Sequence, residues 1–364
     1  MAMLALTLLI GILAVPSSAF LPTIVEMLSP MIEADQVFNQ VPNIRYTDLL
    51  NDNSHIDQLV LHAMTHYGFF YVVDVPDYNA ETEMELMTTF FGLPEDVKAD
   101  VEIRAHNPAN ANAYRGYCPG LDDIDATLQY KNIFNIGPHE TRAPFFDNSL
   151  DDATEKLRYD VQEPNVWPNT DNCDFDKEFK ETFQAGFELR RGIARAFVRS
   201  ISRALEMPGL PSLFTEDEFS AMGLRKYPER RAVNTNMYSD FDGELLRELE
   251  HVDSTVTILS TFENGGLQML YNNEYKDAPN SGNDFIVNIG KLVDDIIDNE
   301  LVSVRHRVKE VDFARYSITY FLGPSFDADI SRSMSGEITE AGHKYTIFGE
   351  WIKDYLGAIE LFYY

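Results

Sequence analysis

The chain has 364 residues, enough for one large domain or two, and its 45% hydrophobic content excludes a wholly disordered protein. Its 59 acidic and 29 basic residues give a formal net charge of −30, which argues against nucleic acids and anionic membranes because both are bound mainly through Lys and Arg. The two cysteines, Cys118 and Cys173, exclude a disulfide framework and leave open either one disulfide or two buried free thiols.

The chain begins with the features of a secretory signal peptide. The apolar run Leu4–Val15 is too short to span a bilayer, and small residues follow it, with Ala19 placed for cleavage. The usual basic n-region is missing, and Ser18–Pro22 resembles the cleavage motif of plastid-bound proteins in diatoms and similar algae. We predict a leader over residues 1–19 that enters the secretory route, followed by an acidic spacer over 20–42. A plastid destination and an endoplasmic-reticulum or secreted one both stay open, as does an apolar N-terminal helix packed on the domain.

Residues 43–205 carry a mixed helix and strand pattern. Apolar residues recur at helical spacing in three segments, and an aromatic and β-branched run after the first indicates a strand. The helices are predicted at Asp57–His66, Glu83–Phe91 and Glu178–Leu205, and the strand at His66–Val73. These elements predict an N-terminal mixed α/β region.

Beyond about residue 206 the pattern becomes β-rich. Short β-branched or aromatic runs alternate with Gly, Asn and Asp clusters, which favours an antiparallel sandwich, barrel or jelly roll over βαβ units. The strands are predicted at Leu224–Tyr227, Ser254–Ser260, Gly266–Leu270, Asp284–Ile289, Val302–Val308 and Arg315–Phe321. With a helical tail from Phe348 to Tyr364, they define a second domain over residues 206–364 of a mixed α+β protein.

His251, Asp253 and His306 form the candidate metal site. Two imidazoles and one carboxylate are the ligand set of a non-haem Fe(II) facial triad, which leaves three coordination positions open. His251 and Asp253 are two residues apart at the entrance to a predicted strand, so both side chains would project from one face. Zinc, which His and Asp also bind, is the alternative metal.

Arg315 and Ser317 form a candidate anion clamp in the last predicted strand. Because they are two residues apart, they share one face of that strand. A guanidinium with a neighbouring hydroxyl can bind the far carboxylate of an organic acid whose other end reaches the metal. This clamp and the three-ligand count favour Fe(II) over zinc.

The order of these motifs along the chain resembles that in the 2-oxoglutarate- and Fe(II)-dependent oxygenases. Within that family the chain resembles the subfamily of isopenicillin N synthase and the plant hydroxylases and desaturases. The resemblance runs from about Asn43 to Tyr355. It rests on Gly68-Phe69-Phe70, Phe91–Pro94, Gly116-Tyr117, Leu224–Pro228, His251–Asp253, Gly265–Gln268, Val287–Gly290, Ser303–Val308 and Arg315–Ser317.

The resemblance implies a double-stranded β-helix, a form of jelly roll, as the core. It implies that the three candidate ligands bind Fe(II), with 2-oxoglutarate and O2 as co-substrates. Arg315 and Ser317 would bind the far carboxylate of 2-oxoglutarate, and Tyr227 would add a hydroxyl to it. The chain departs from the family at Leu249-Glu250, where small residues are usual, and at Lys291, where an acid is common.

The implied activity is the oxidation of a small molecule with release of succinate and CO2. Hydroxylation, desaturation and oxidative ring closure share the same residues, so the motifs do not separate them. The alga-like leader adds a narrower hypothesis from secondary metabolism, because algal kainoid synthases close a pyrrolidine ring on an N-prenylated glutamate. Such a substrate would need bases in the pocket, for which Arg225, Arg230 and Arg231 are candidates unless they are ordinary surface charges.

Two other functions stay open. One is an iron oxidase of the same fold that uses no 2-oxoglutarate, in which Arg315 and Ser317 bind the carboxylate of the substrate itself. The other is a non-catalytic jelly-roll binding protein with a structural metal, although structural sites normally have four protein ligands. A small-molecule substrate is expected, with no nucleic-acid partner and no membrane span after leader removal, and the oligomeric state is open.

Overall fold

A computed structural model describes residues 34–120, 131–138, 140, 153–215, 218–229, 244–297, 301–331 and 345–358. The predicted leader, most of the predicted spacer, and Arg230 and Arg231 lie outside the described residues. The chain divides into two compact units, Met1–Gln40 and Val41–Tyr364. The described part of the first unit is a 3₁₀ helix, Ala34–Gln40. The helices and strands named below belong to the second unit.

Three of the longer helices start at an asparagine whose side chain accepts hydrogen bonds from first-turn N–H groups, which satisfies donors that the helix itself leaves unpaired. These caps are Asn53, Asn79 and Asn172. The described α-helices are α1 Tyr46–Leu50, α2 Ser54–His66, α3 Ala80–Phe91, α4 Glu95–Ala99, α5 Ala153–Val161, α6 Cys173–Ala204, α7 Lys291–Ile296 and α8 Phe348–Ala358.

The described strands form one large and one small sheet. They are β1 Asn43–Arg45, β2 Phe69–Val73, β3 Gly116–Cys118, β4 Asn132–Ile136, β5 Glu218–Tyr227, β6 Leu246–His251, β7 Val256–Ser260, β8 Leu267–Tyr271, β9 Glu274–Asp277, β10 Phe285–Ile289, β11 His306–Lys309 and β12 Arg315–Ser325. The large sheet has the order β1-β2-β10-β7-β12-β5-β4-β3 and the small sheet the order β6-β11-β8-β9.

From β5 onward the chain passes back and forth between the two sheets. β5, β7, β10 and β12 belong to the large sheet, while β6, β8, β9 and β11 belong to the small one, and these strands pair antiparallel. This alternation is the connectivity of a jelly roll. The predicted mixed α+β fold, with a double-stranded β-helix core and a helical N-terminal region, is confirmed.

Arg190 ties helix α6 to helix α3 by a buried ion pair and to the large sheet by a hydrogen bond. Arg190 of α6 donates to both carboxylate oxygens of Glu83 in α3, at 2.8 and 2.7 Å, and to Ser260 of β7 at 2.8 Å. The side chains of Arg190 and Glu83 are 0% and 3% exposed. The bidentate contact joins the two helices, and the bond to Ser260 holds them against the strand that follows the candidate metal site.

The differences from the sequence predictions are local. The strand predicted at Val302–Val308 begins only at His306, and β6 was not predicted because it carries several charged residues. Cys118 and Cys173 form no disulfide with each other, and Cys118 is only half-buried while Cys173 is exposed, so the expectation of burial is wrong. Among the described helices none combines the length and the apolar character needed to cross a membrane.

Candidate metal centre and co-substrate site

The three candidate metal ligands lie together where the chain leaves the small sheet and enters the large one. His251 ends β6 and His306 begins β11, and the two residues are direct partners across the small sheet. Asp253 lies in the turn that leads to Val256, where β7 begins. The prediction that His251 and Asp253 share one strand face is therefore wrong, because the pairing of β6 ends at His251.

The donor atoms are close enough for one ion. Ligand atoms of the three side chains all lie within 4.8 Å of one another. His306 Nε2 is 3.8 Å from Asp253 Oδ2, and His251 Nε2 is 4.0 Å from Asp253 Oδ1. Two donors at about 2.1 Å from the same ion are at most about 4.2 Å apart, so both pairs fit a shared metal. The donor set of two imidazoles and one carboxylate suits Fe(II).

The backbone fixes which nitrogen of each imidazole faces the centre. His251 Nδ1 lies 2.8 Å from Leu249 O, and His306 Nδ1 lies 3.2 Å from Val304 O. A carbonyl can only accept, so each Nδ1 carries the proton and each Nε2 keeps a lone pair for a metal. Burial, followed by the neighbouring His251, lowers the pKa of His306, which also favours the neutral form that binds metals.

Asp253 is supported by two buried donors that the sequence predictions do not include. Its Oδ2 accepts hydrogen bonds from Thr257 Oγ1 at 2.9 Å and from Asn288 Nδ2 at 2.8 Å. Thr257 and Asn288 are direct partners in β7 and β10. Burial alone would raise the pKa of Asp253, but the two imidazoles and these two donors outweigh it and lower that pKa. The carboxyl group of Asp253 is therefore ionised and can bind a metal ion.

The turn that carries Asp253 is packed directly against the start of α7. The backbone N–H groups of Lys291 and Leu292 donate to Asp253 O and Ser254 O at 2.8 and 3.0 Å. A Cβ atom on Gly290 would lie 2.2 Å from Asp253 O. Only glycine allows this approach, which explains why a glycine precedes the helix here.

Arg315 and Ser317 lie side by side on the cavity face of β12, as predicted. Their exposures are 1% and 2%, and Arg315 Nη1 donates to Ser317 Oγ at 3.3 Å. Arg315 Nε donates to Gly265 O at 3.0 Å, which aims the other end of the guanidinium at the cavity. Burial lowers the pKa of Arg315, while Tyr227 and Glu248 oppose that shift.

Glu248 and Lys131 form a charged pair next to the clamp, and the sequence predictions give neither residue a role in the site. Glu248 of β6 accepts from Lys131 Nζ at 2.5 Å and from the hydroxyl of Tyr227 at 2.6 Å. Burial alone would raise the pKa of Glu248, but the positive groups around it, led by Lys131, hold that pKa well below its ordinary range. The hydroxyl of Tyr227 thus bonds to Glu248, and the Arg315 guanidinium lies 5.1 Å from the centre of the Tyr227 ring.

These groups face one cavity of about 1320 Å³. Its strand wall carries three cations, Arg225 of β5, Arg315 of β12 and Lys131, which directly precedes β4. Arg115 and Lys353 also line the cavity. Its roof comes from α5 and α8, which pack against each other and contribute apolar side chains, among them Leu157, Phe348 and Ile352. The cavity is larger than one organic acid needs, so it has room for a second small molecule.

Arg225 is the one predicted substrate residue within the described part of the chain. It is the direct partner of Ser317 in the large sheet, which places it beside the clamp. Its Nε atom is buried without a hydrogen-bond partner, and its guanidinium lies 5.7 Å from the centre of the Phe321 ring. In the described residues no acidic side chain lies within ion-pair distance of it, so its charge is open to a ligand.

Two family matches cover much of the chain. Residues 219–324 match the 2OG-Fe(II) oxygenase superfamily. Residues 41–170 match the N-terminal region of non-haem dioxygenases in morphine synthesis. The first range spans the whole predicted site, from Tyr227 through the metal ligands to Ser317.

The chain is also similar to curated proteins along most of its length. It is 25% identical to an isopenicillin N synthase of Streptomyces clavuligerus over 301 residues, covering 80% of this chain and 86% of the relative. It is 29% identical to kihadalactone A synthase LFS of Citrus sinensis over 315 residues, covering 79% of this chain and 83% of the relative.

Solved structures share the fold. The full-length T7H of Neurospora crassa in complex with alpha-KG superposes with a TM-score of 0.67 at 22% identity, covering 90% of this chain and 100% of that one. A dioxygenase for auxin oxidation from rice superposes with a TM-score of 0.59 at 17% identity, covering 88% and 96% of the two chains. At these identities the likeness concerns the fold.

Proposed function

Because the chain belongs to the 2OG-Fe(II) oxygenase superfamily, we propose that this dioxygenase oxidises a small, carboxylate-bearing molecule in secondary metabolism. It is an oxidoreductase that uses Fe(II), 2-oxoglutarate and O2. The observation that carries the proposal is the convergence of the His251–Asp253–His306 group, the Arg315–Ser317 clamp and Arg225 on one cavity.

Each group has a separate task in the proposal. The Nε2 atoms of His251 and His306 and the carboxylate of Asp253 bind the metal and leave the remaining positions to small molecules. Arg315 and Ser317 bind the far carboxylate of 2-oxoglutarate and fix its orientation. The iron, when bound, supplies the oxidation of the substrate by O2, coupled to conversion of 2-oxoglutarate into succinate and CO2.

The charges in the cavity indicate what kind of substrate fits. Of its three wall cations, Lys131 is paired with Glu248, and Arg315 is assigned to 2-oxoglutarate. Arg225 makes no ion pair with a described residue, and the carboxylate of Glu248, which acts on it only through its longer-range charge, is already bonded to Lys131. Arg225 is half-buried and its Nε atom is buried without a hydrogen-bond partner, so we infer that the ligand that completes this wall carries a carboxylate. The apolar roof favours a substrate whose other end is apolar.

An N-prenylated glutamate combines these two properties. Its carboxylates match Arg225, and its prenyl chain matches the side chains of Leu157, Phe348 and Ile352 in the roof. Oxidative ring closure to a kainoid is therefore the specific reaction that we propose. Arg230 and Arg231, the other two predicted bases, lie outside the described residues and add no structural support.

The test is turnover of purified leader-less protein with Fe(II) and 2-oxoglutarate. Succinate release is measured with N-prenylated glutamates and with their methyl esters. The acids are expected to give succinate in step with an oxidised product, and the esters much less. Arg225→Gln is expected to raise KM for the acid by roughly tenfold or more and leave KM for 2-oxoglutarate unchanged, because it removes one charge-assisted contact.

The control variant is Arg305→Gln, since Arg305 is exposed and pairs with Glu250 at 3.1 Å. It is expected to leave both KM values unchanged. Equal turnover of acid and ester would overturn the role of Arg225. An oxidised product without succinate would favour the oxidase of the same fold, in which Arg315 binds the substrate.

We propose in addition that residues 1–19 are a cleaved leader that directs the enzyme into the secretory route, in keeping with the apolar run that ends in Ser17-Ser18-Ala19. N-terminal sequencing of the protein from its native cells is expected to begin at Phe20. Localisation of a fluorescent fusion then separates plastid from endoplasmic-reticulum or secreted delivery. An intact Met1 on the mature protein would contradict the proposal.

A further inference from the structure

The turn between the metal ligands His251 and Asp253 is held by helix α8, which lies outside the β core. The hydroxyl of Tyr355, in α8, donates to the carbonyl oxygen of Val252 at 3.0 Å. That carbonyl belongs to the peptide group between Val252 and Asp253, directly after His251. Because a peptide group is planar, its orientation helps to set the directions in which both neighbouring ligand side chains leave the backbone.

This bond is one of three hydrogen bonds that hold consecutive backbone carbonyls of the turn, those of Val252, Asp253 and Ser254. The carbonyls of Asp253 and Ser254 accept from Lys291 and Leu292 at the start of α7, as described above. Those two bonds come from the segment that directly follows β10, a central strand of the large sheet. The carbonyl of Val252 depends instead on α8, near the end of the described chain.

The first turn of helix α8 is fixed by backbone hydrogen bonds. Backbone N–H groups of Phe348 and Gly349 donate to Ala328 O and Phe326 O at 3.0 and 2.8 Å. The Trp351 and Tyr355 rings stack at 4.9 Å with planes 13° apart, which orients the tyrosine ring toward the turn. The hydroxyl of Tyr355 thus joins the second half of the helix directly to the turn that carries the metal ligands.

The same helix forms part of the cavity roof. Phe348, Ile352 and Leu356 of α8 line the cavity, as does Tyr355. Docking of this helix and the arrangement of the ligand turn therefore share one hydrogen bond. If docking of the helix through this bond strengthens metal binding, linkage requires that the bound metal stabilises the docked helix by the same factor.

We propose that Tyr355 is a positioning residue that couples metal loading to closure of α8 over the cavity. The inference rests on the metal centre of the proposed function but needs neither 2-oxoglutarate nor a substrate. The roof would close most firmly on metal-loaded enzyme, so that substrate is enclosed only where the oxidation can take place.

The test compares wild type with Tyr355→Phe, which keeps the ring and removes the hydroxyl. Mn(II) serves as the probe, because it binds the same kind of ligands and can be titrated without turnover. Hydrogen exchange of residues 348–358 is followed with and without Mn(II). In the wild type, Mn(II) is expected to slow this exchange. In Tyr355→Phe the Mn(II)-dependent slowing is expected to shrink about fivefold, and the Kd for Mn(II) to rise about fivefold, for loss of one hydrogen bond.

Tyr345→Phe is the matched control. Tyr345 donates its hydroxyl to Asp354 of the same helix at 3.0 Å, away from the ligand turn. This variant is expected to keep both the wild-type Kd for Mn(II) and the metal-dependent slowing of exchange. This variant also removes one tyrosine hydroxyl that bonds to α8, so any general loosening of the helix would appear in both variants.

Two results would overturn the proposal. One is wild-type exchange in α8 that is indifferent to Mn(II), a comparison that needs no variant. The other is a Tyr355→Phe protein whose exchange rises equally with and without Mn(II) at an unchanged Kd, which would mean a purely structural role. Failure of the oxygenase assay alone would leave these binding measurements standing, so the two proposals are tested separately.

Discussion

Removal of the Thr257 hydroxyl tests how the protein prepares Asp253 for a metal. Thr257→Val keeps the number of heavy atoms and removes one of the two donors to Asp253 Oδ2, a bond of 2.9 Å. Thr257 and Asn288 are 1% and 2% exposed, so water cannot readily replace the lost bond. A hydrogen bond to a charged group contributes about 1.5–3 kcal/mol, which corresponds to roughly 10–150-fold in an equilibrium constant. Because Asn288 still donates, we expect the lower end, about a tenfold weaker Kd.

The assay is an anaerobic Fe(II) titration followed by the metal-dependent rise in melting temperature. Thr255→Val is the control, since Thr255 lines the same cavity two residues earlier and makes no hydrogen bond to a candidate ligand among the described residues. It is expected to bind Fe(II) as the wild type does. A Thr257→Val Kd within twofold of wild type, or an equal loss in Thr255→Val, would refute the role of the second donor.

Two further substitutions test the framework around the site. Gly290→Ala is expected to abolish Fe(II) binding in a titration, because its Cβ would lie 2.2 Å from Asp253 O, whereas Gly192→Ala, with no atom within 4 Å of its Cβ, is expected to bind normally. Glu83→Gln is expected to lower the free energy of unfolding by about 3–5 kcal/mol in urea, because it leaves Arg190 buried without its full counter-charge. The folded Glu83→Gln protein should keep the wild-type Kd for Fe(II), and a weakened Kd would show that the ion pair reaches the site.

The sequence predicts the ligand types well because their chemistry is local. Arg315 and Ser317 share a strand face through the two-residue period of a strand, and the structure shows this arrangement. The same period fails for His251 and Asp253, because the chain leaves one sheet at His251 and enters the other at Val256. A change of sheet within five residues has no periodic signal.

The supporting contacts could not be predicted because they join distant parts of the chain. Lys131 and Glu248 are 117 residues apart, and Val252 and Tyr355 are 103 apart. Hydrophobic periodicity reports which face of an element is buried, but not which element covers it. The charged sequence of β6 also hid Glu248, since strands are usually recognised by β-branched and aromatic residues.

Fe(II) bound by His251, Asp253 and His306 and 2-oxoglutarate bound by Arg315 are expected to contact each other in the cavity. The most direct measurement is an anaerobic titration of Fe(II)-loaded protein with 2-oxoglutarate, followed by the visible charge-transfer band of the chelated keto acid. We expect the band in wild type and in Arg225→Ala. Arg315→Ala is expected to need at least about tenfold more 2-oxoglutarate for the same band, with iron still bound. Equal titrations of Arg315→Ala and wild type, or no band in wild type with one iron bound, would contradict it.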